Sequence, residues 1–164
     1  MSENHFTLTK EYLHEIFDYR DGNLYWKIKK AYKIKIGQKA GSLQSDKQYF
    51  QVSINKKWYA LHRIIFMMHN GYFPKEIDHI DRNPSNNRIE NLREASASQN
   101  AANRNIRKTN KFGVKNVSFV ASKGKYRVQI RLNNKNIHIG YFKDLESAKT
   151  SALQSRVKYF GEFA

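Results

Sequence analysis

The sequence predicts an α+β fold in which short antiparallel strands carry a few helices. Three observations lead there. Residues 114–141 hold three strand-like segments separated by two polar turns, and a capped helical stripe follows them. Residues 77–100 read as strand, Asn-rich loop, strand and capped helix start. The first 58 residues alternate short apolar runs with turn signals.

The elements follow in order. Thr9 caps a short helix running to about Phe17, with Leu8 stapled on Leu13. Asp21-Gly22-Asn23 is a turn, and Leu24–Ile28 reads as a strand. Tyr49–Ile54 alternates at strand period, Asn55-Lys56-Lys57 turns the chain, and Trp58–Leu61 returns. His62–His69 is apolar on most sides, which predicts a buried helix stopped by Asn70-Gly71.

Ile77–Ile80 is a short strand, Asp81–Asn87 is a polar loop, and Ile89–Leu92 leads into a second strand. Ser96-Ala97-Ser98-Gln99 has the S-x-x-Q capping pattern, so a helix begins there with Asn100 in its first turn. Residues 103–111 are polar and basic and read as a linker that tracks phosphates. Beyond them come strands at Val114–Val120, Tyr126–Leu132 and Asn136–Tyr141. Asp144 caps a helix bearing Leu145, Ala148, Ala152 and Tyr159 on one stripe and ending before Gly161.

Composition narrows the partners. The 164 residues hold 30 Lys plus Arg against 14 Asp plus Glu, a net charge of +16. Such a field favours a polyanion, nucleic acid above all. Residues 1–100 carry a net +5 and residues 101–164 a net +11, so the C-terminal part reads as the anchor. Cysteine is absent, which excludes disulfides and thiolate metal sites and fits a reducing cytoplasm. Residues 1–9 lack an apolar signal core, and the longest apolar run, Ile64–Met68, is too short for a membrane span. A cytoplasmic protein is expected, with no membrane partner.

Asp78-His79 is followed by Asn91 and Asn100, twelve and twenty-one residues beyond the histidine. An imidazole can take a proton from water, a carboxylate can hold a hard divalent cation, and two amides can orient both. Taken singly each residue has a structural use: an Asp-His pair at a polar core position, asparagines in turns. On a strand-loop-strand-helix unit they can converge.

The segment from His62-Arg63 through Asp78-His79-Ile80-Asp81, Asn86-Asn87-Arg88-Ile89-Glu90-Asn91-Leu92 and Gln99-Asn100 resembles the HNH endonucleases, most of all the phage and mobile-intron homing branch. The resemblance covers about residues 60–107 and implies a ββα-metal core. It implies that His79 is the general base, that Asp78 and Asn100 bind one Mg²⁺ or Mn²⁺, and that Asn91 orients the base and the loop. Asn100 stands where the motif's third letter is usually His, and an amide oxygen suits Mg²⁺ better than Zn²⁺ or Ni²⁺. Asp81 is expected to bond the loop, and His62 to be structural. His5, His14 and His69 lack partners at useful spacing.

In the last unit Tyr126, Val128 and Ile130 should pack on the helix, leaving Lys125, Arg127, Gln129 and Arg131 on the opposite face. Arg and Gln suit guanine and adenine edges. Gly113-Val114, Gly124 to Arg131, Ile137 to Phe142, Glu146-Ser147-Ala148 and Tyr159 to Ala164 resemble the APETALA/ethylene-response-factor DNA-binding domain. That resemblance implies a three-stranded antiparallel sheet in the major groove with a helix behind it, and groove-facing Lys115, Gln129, Arg131 and His138. Phe112 and His138 depart from the plant pattern of Arg and Trp, so the base sequence read should differ.

The expected organisation is a helix and strand-rich extension over 1–58, a nuclease core over 59–107, a basic linker over 108–112 and a DNA-binding unit over 113–164. Arg107 and Lys108 join the DNA contacts. The expected activity is metal-dependent hydrolysis of double-stranded DNA to 5′-phosphate and 3′-hydroxyl ends, by a monomer that nicks one strand. A dimer cutting both strands is the alternative. The rivals are a sequence-specific DNA-binding regulator with an inactive core, and an RNA-directed protein.

Overall fold

The computed structural model describes residues 7–29, 32, 34–43 and 49–164; His5 lies outside them. The chain divides into two compact units, Met1–Glu94 and Ala95–Ala164. The division falls ahead of the expected linker at 108–112.

The first unit opens with helix α1, Lys10–Ile16. The Thr9 hydroxyl accepts the Tyr12 N–H, as the capping pattern predicts. The helix stops one residue before Phe17 because Phe17 turns extended and starts strand β1, Phe17–Arg20, which the sequence did not announce. Asp21 and Gly22 form a turn with φ of 46° and 80°, and β2, Asn23–Trp26, returns antiparallel. The expected strand to Ile28 ends two residues early, and Ile28 is exposed. The short strand β3, Lys39–Ala40, pairs with β2.

A second sheet has the order β4-β5-β6, formed by Ser42–Leu43, Phe50–Ile54 and Lys57–Ala60. Helix α2, Leu61–Asn70, follows directly and ends on Gly71 in the left-handed conformation. Lys10 Nζ and His14 Nε2 donate to the carbonyls of His69 and Met68 at 2.9 Å each, satisfying the open end of α2. Leu13, Phe17, Leu24, Val52, Ile54, Ile64, Ile65 and Met68 form the core between the helices and the sheets. Strand β7, Glu76–His79, pairs with β8, Leu92–Ala95. Residues Ile89–Asn91, expected to enter that strand, form a 3₁₀ turn before it.

The second unit begins with helix α3, Ala97–Asn103, closed by the expected capping box of Ser96 and Gln99. Strands β9 (Val117–Val120), β10 (Lys125–Leu132) and β11 (Lys135–Phe142) form an antiparallel sheet with β10 central. β9 starts three residues later than expected, after Asn116 at φ 70°. Helix α4, Leu145–Phe160, is capped by Asp144 and packs Ala148 and Ala152 against Val114, Val117 and Val128. The three-stranded sheet on one helix is as expected. Ala102 of α3 joins Ala95, Ile130, Phe160 and Phe163, so α3 shares its core with this sheet and helix. No helix among the described residues is long and apolar enough to cross a membrane.

Candidate active site and nucleic-acid face

Asp78 and His79 end β7, and both are buried, at 4% and 7% exposure. His79 Nε2 lies 3.0 Å from Oδ1 of Asn87, itself buried. A side-chain amide oxygen only accepts, so this contact is a hydrogen bond in the tautomer with the proton on Nε2, which places the lone pair on Nδ1. Tyr49 stacks on the imidazole, with ring centroids 5.9 Å apart and planes 15° apart. His62 meets it edge-on at 5.2 Å. Asp78 Oδ2 accepts from Arg93 Nε at 2.9 Å.

Asn91 has a different task from Asn87. Its side-chain oxygen accepts the Asp81 N–H at 3.0 Å, and its backbone carbonyl accepts the Ile80 N–H at 2.9 Å. Asn91 thus clamps the two residues that follow His79, while its amide group donates to Asp81 Oδ1 and the Asn86 carbonyl. The orientation expected of Asn91 is divided: Asn91 holds the loop, and Asn87 holds the imidazole. Asp81 bonds the loop as expected, accepting also from the Asn83 N–H and the Asn86 amide. Burial pushes the Asp81 carboxyl up, but the hydrogen bonds from Asn86, Asn83 and Asn91 outweigh it and hold the carboxyl below the usual range.

The extension over residues 1–58 reaches this loop. Tyr19 Oη accepts the Ile89 N–H at 3.0 Å. Gly22 sits so close to the Asn87-Arg88 backbone that a Cβ would lie 2.7 Å from Arg88 N and 2.8 Å from Asn87 C. The loop that supplies Asn87 is therefore fixed by the β1-β2 turn, 65 residues away in sequence.

His62 is buried, and its imidazole is pushed down to about 3 by burial and by the charges of His79 and Arg63. Its Nδ1 has no hydrogen-bond partner among the described residues. The structural role expected of His62 holds in that it packs beside His79; its direct contact with that ring was not anticipated. His14 and His69 bond to backbone carbonyls of α2.

Among the described residues no three His, Asp or Glu side chains gather into a metal-holding group. The hard-oxygen donors in the motif are the carboxylate of Asp78 in the first unit and the amide of Asn100 in the second. Carboxylate and amide oxygens are hard donors of the kind Mg²⁺ takes, with one or two carboxylates and substrate phosphates rather than an all-protein cage.

In the second unit the strand alternation is as expected. Val128 and Ile130 are fully buried, while Lys125, Arg127, Gln129 and Arg131 share the other face of β10. The register places Arg127 opposite Tyr141, Gln129 opposite His138 and Arg131 opposite Asn136, so β11 extends this polar face. Lys123 Nζ lies 4.1 Å from the centre of the Tyr141 ring. Arg127 Nε is buried and without a hydrogen-bond partner among the described residues. Arg107 and Lys108 are exposed in the segment after α3. Lys115 departs from the expected groove-facing placement. Its ammonium donates to the carbonyls of Ala102, at 2.6 Å, and Arg104, closing the end of α3. Arg156 Nη2 donates to the same Ala102 carbonyl.

The sequence reading missed Asn87, Arg93, Tyr49 and Gly22. Asn87 had a signal, since it lies inside the motif, but nothing local separated it from Asn86 or Asn91.

Residues 59–102 match the family described as HNH endonuclease. The chain is 33% identical over 97 residues to "Protein 3.8" of Escherichia phage T7, an alignment covering 58% of this chain and 79% of that protein. No solved structure matches the chain.

Proposed function

We propose that the chain, whose residues 59–102 match the HNH endonuclease family, is a metal-dependent DNA endonuclease with His79 as general base. The observation that carries this reading is the 3.0 Å contact of His79 Nε2 with the Asn87 amide oxygen, which favours the tautomer whose basic nitrogen is Nδ1. Nδ1 takes a proton from water, the water oxygen attacks phosphorus as the P–O3′ bond breaks, and the leaving O3′ takes a proton from solvent. The products are a 5′-phosphate and a 3′-hydroxyl. Asn87 and Tyr49 fix the imidazole, and Asn91 fixes the backbone after it. By their places in the motif, Asp78 and Asn100 are the residues that would hold one Mg²⁺ or Mn²⁺, which would supply charge neutralisation at the leaving oxygen.

The polar sheet face supports a DNA-holding role for Lys125, Arg127, Gln129, Arg131 and His138, with Arg107 and Lys108 on phosphates. The order of three strands and a helix, with these side chains on the open face, supports the APETALA/ethylene-response-factor-like reading of residues 113–164. A monomer bearing one such centre nicks one strand, in the manner of a homing endonuclease. A dimer would cut both.

The test is supercoiled plasmid incubated with Mg²⁺, with EDTA, and with His79→Ala. Nicking that needs metal and disappears in His79→Ala supports the endonuclease. Specific binding without cleavage by the unaltered chain would replace it with a DNA-binding regulator.

A further inference from the structure

Both ends of the β5-β6 ribbon meet at the His79 ring. Tyr49, just before β5, stacks on it, and His62, two residues after β6, packs against its edge. The register pairs Gln51 with Ala60, Val52 with Tyr59, Ser53 with Trp58 and Ile54 with Lys57. The Asn55-Lys56 turn therefore lies at the other end of the ribbon, roughly 17 Å away at about 3.4 Å per strand residue.

One ribbon face is core: Val52 and Ile54 are each 1% exposed. The other bears Gln51, Ser53 and Trp58, and Trp58 is 58% exposed. An indole left this open is unusual, since a large aromatic normally buries its apolar area. Lys56 is exposed in the turn beside it, Lys57 is exposed across from Ile54 on the other face, and residues 49–63 contain no Asp or Glu. Lys56 also adopts φ 64°, at a turn position where glycine carries less steric cost.

We propose that the β5-β6 ribbon is a second DNA-contact arm, laid along the duplex to one side of the cut. Lys56 and Lys57 contact phosphates, and the Trp58 ring packs against the groove. The placement rests on the endonuclease reading, because His79 marks the scissile phosphate. A two-stranded ribbon fits the major groove, and 17 Å spans about five base pairs at about 3.4 Å each. The occupant is DNA because the arm joins cations and an open aromatic with no compensating acid, and it is continuous with the catalytic imidazole.

The test uses the full chain and a fluorescent 30-base-pair duplex of random sequence in EDTA, so that binding is read without cleavage. Lys56→Gly relieves the left-handed backbone, so thermal stability should hold or rise. Its DNA affinity should nevertheless drop several-fold, with the salt slope smaller by about 0.9 for one lost phosphate contact. Tryptophan emission should be quenched by saturating DNA, and Trp58→Phe should abolish the quench, because Trp26 is buried against Phe17. Unchanged affinity and slope in both Lys56→Gly and Lys57→Ala overturn the arm, as does emission indifferent to DNA. Emission that changes with protein concentration alone would make the face a contact between copies and also overturn it. Binding through the ribbon without nicking in Mg²⁺ would sink the endonuclease reading alone.

Discussion

Asn87 accepts a 3.0 Å hydrogen bond from His79 Nε2 although the two residues stand eight apart, on a strand and at the far end of a loop. The bond favours the tautomer whose lone pair lies on Nδ1. Asn87→Ala should therefore lower kcat at least about tenfold while KM stays near its starting value, since general-base catalysis supplies about 10²–10⁴. Asn87→Asp tests the electrostatics. A carboxylate there replaces the neutral amide beside the imidazole and should also lower kcat. Steady-state kinetics reads both, and full kcat in both variants would remove Asn87 from the site.

Gly22 should be intolerant of a side chain. Gly22→Ala places a Cβ 2.7–2.8 Å from the Asn87-Arg88 backbone and also strains φ at 80°, a cost of about 1–3 kcal/mol. Gly37→Ala has the same backbone demand, φ 79°, but open space around the new Cβ. Denaturant unfolding of both variants isolates the contact. The Gly22 variant should lose more stability and also plasmid nicking; equal losses, with activity kept, would show that the turn does not hold the Asn87 loop.

His62 should make stability fall in mild acid. Its imidazole is pushed down to about 3 in the folded chain, against 6.5 for an ordinary histidine. The unfolded chain thus binds the extra proton between those values. The stabilisation is complete above about pH 6.5 and is lost as pH falls toward 3, at up to about 1.4 kcal/mol per pH unit. His62→Gln should flatten that slope when unfolding is followed from pH 7 to pH 4. An identical slope in the variant would mean that His62 is not neutral and buried as described.

The two cations expected in the groove should separate. Arg131→Ala, on the open sheet face, should weaken binding to a preferred DNA site by about 1–3 kcal/mol if it reads a base, and less on other sequences. Lys115→Ala should leave DNA affinity unchanged and lower the melting temperature, because its ammonium closes α3 at Ala102 and Arg104. Titrations paired with thermal melts decide. A loss of affinity without a loss of stability in Lys115→Ala would return that residue to the DNA face.

Local chemistry was legible in the chain itself. Thr9, Asn70-Gly71, the Ser96-Gln99 box and Asp144 marked helix ends, because a cap is an interaction among residues three or four apart. The polar face of β10 followed from the two-residue period of a strand. The four motif residues were also visible, since their types and gaps are written in the sequence. Contacts between distant segments were not. Nothing local says that Gly22 abuts Arg88, that Tyr49 covers His79, that Arg93 pairs with Asp78, or that Asn87 rather than Asn91 meets the imidazole. Those choices depend on how strands dock around a shared core, where packing and buried hydrogen bonds select one partner among chemically equal ones. The sequence thus determined which side chains are available for hydrolysis and where the short elements begin. Only the tertiary structure decided which of them touch, because contact between remote residues is settled by the whole chain's burial rather than by any stretch of it.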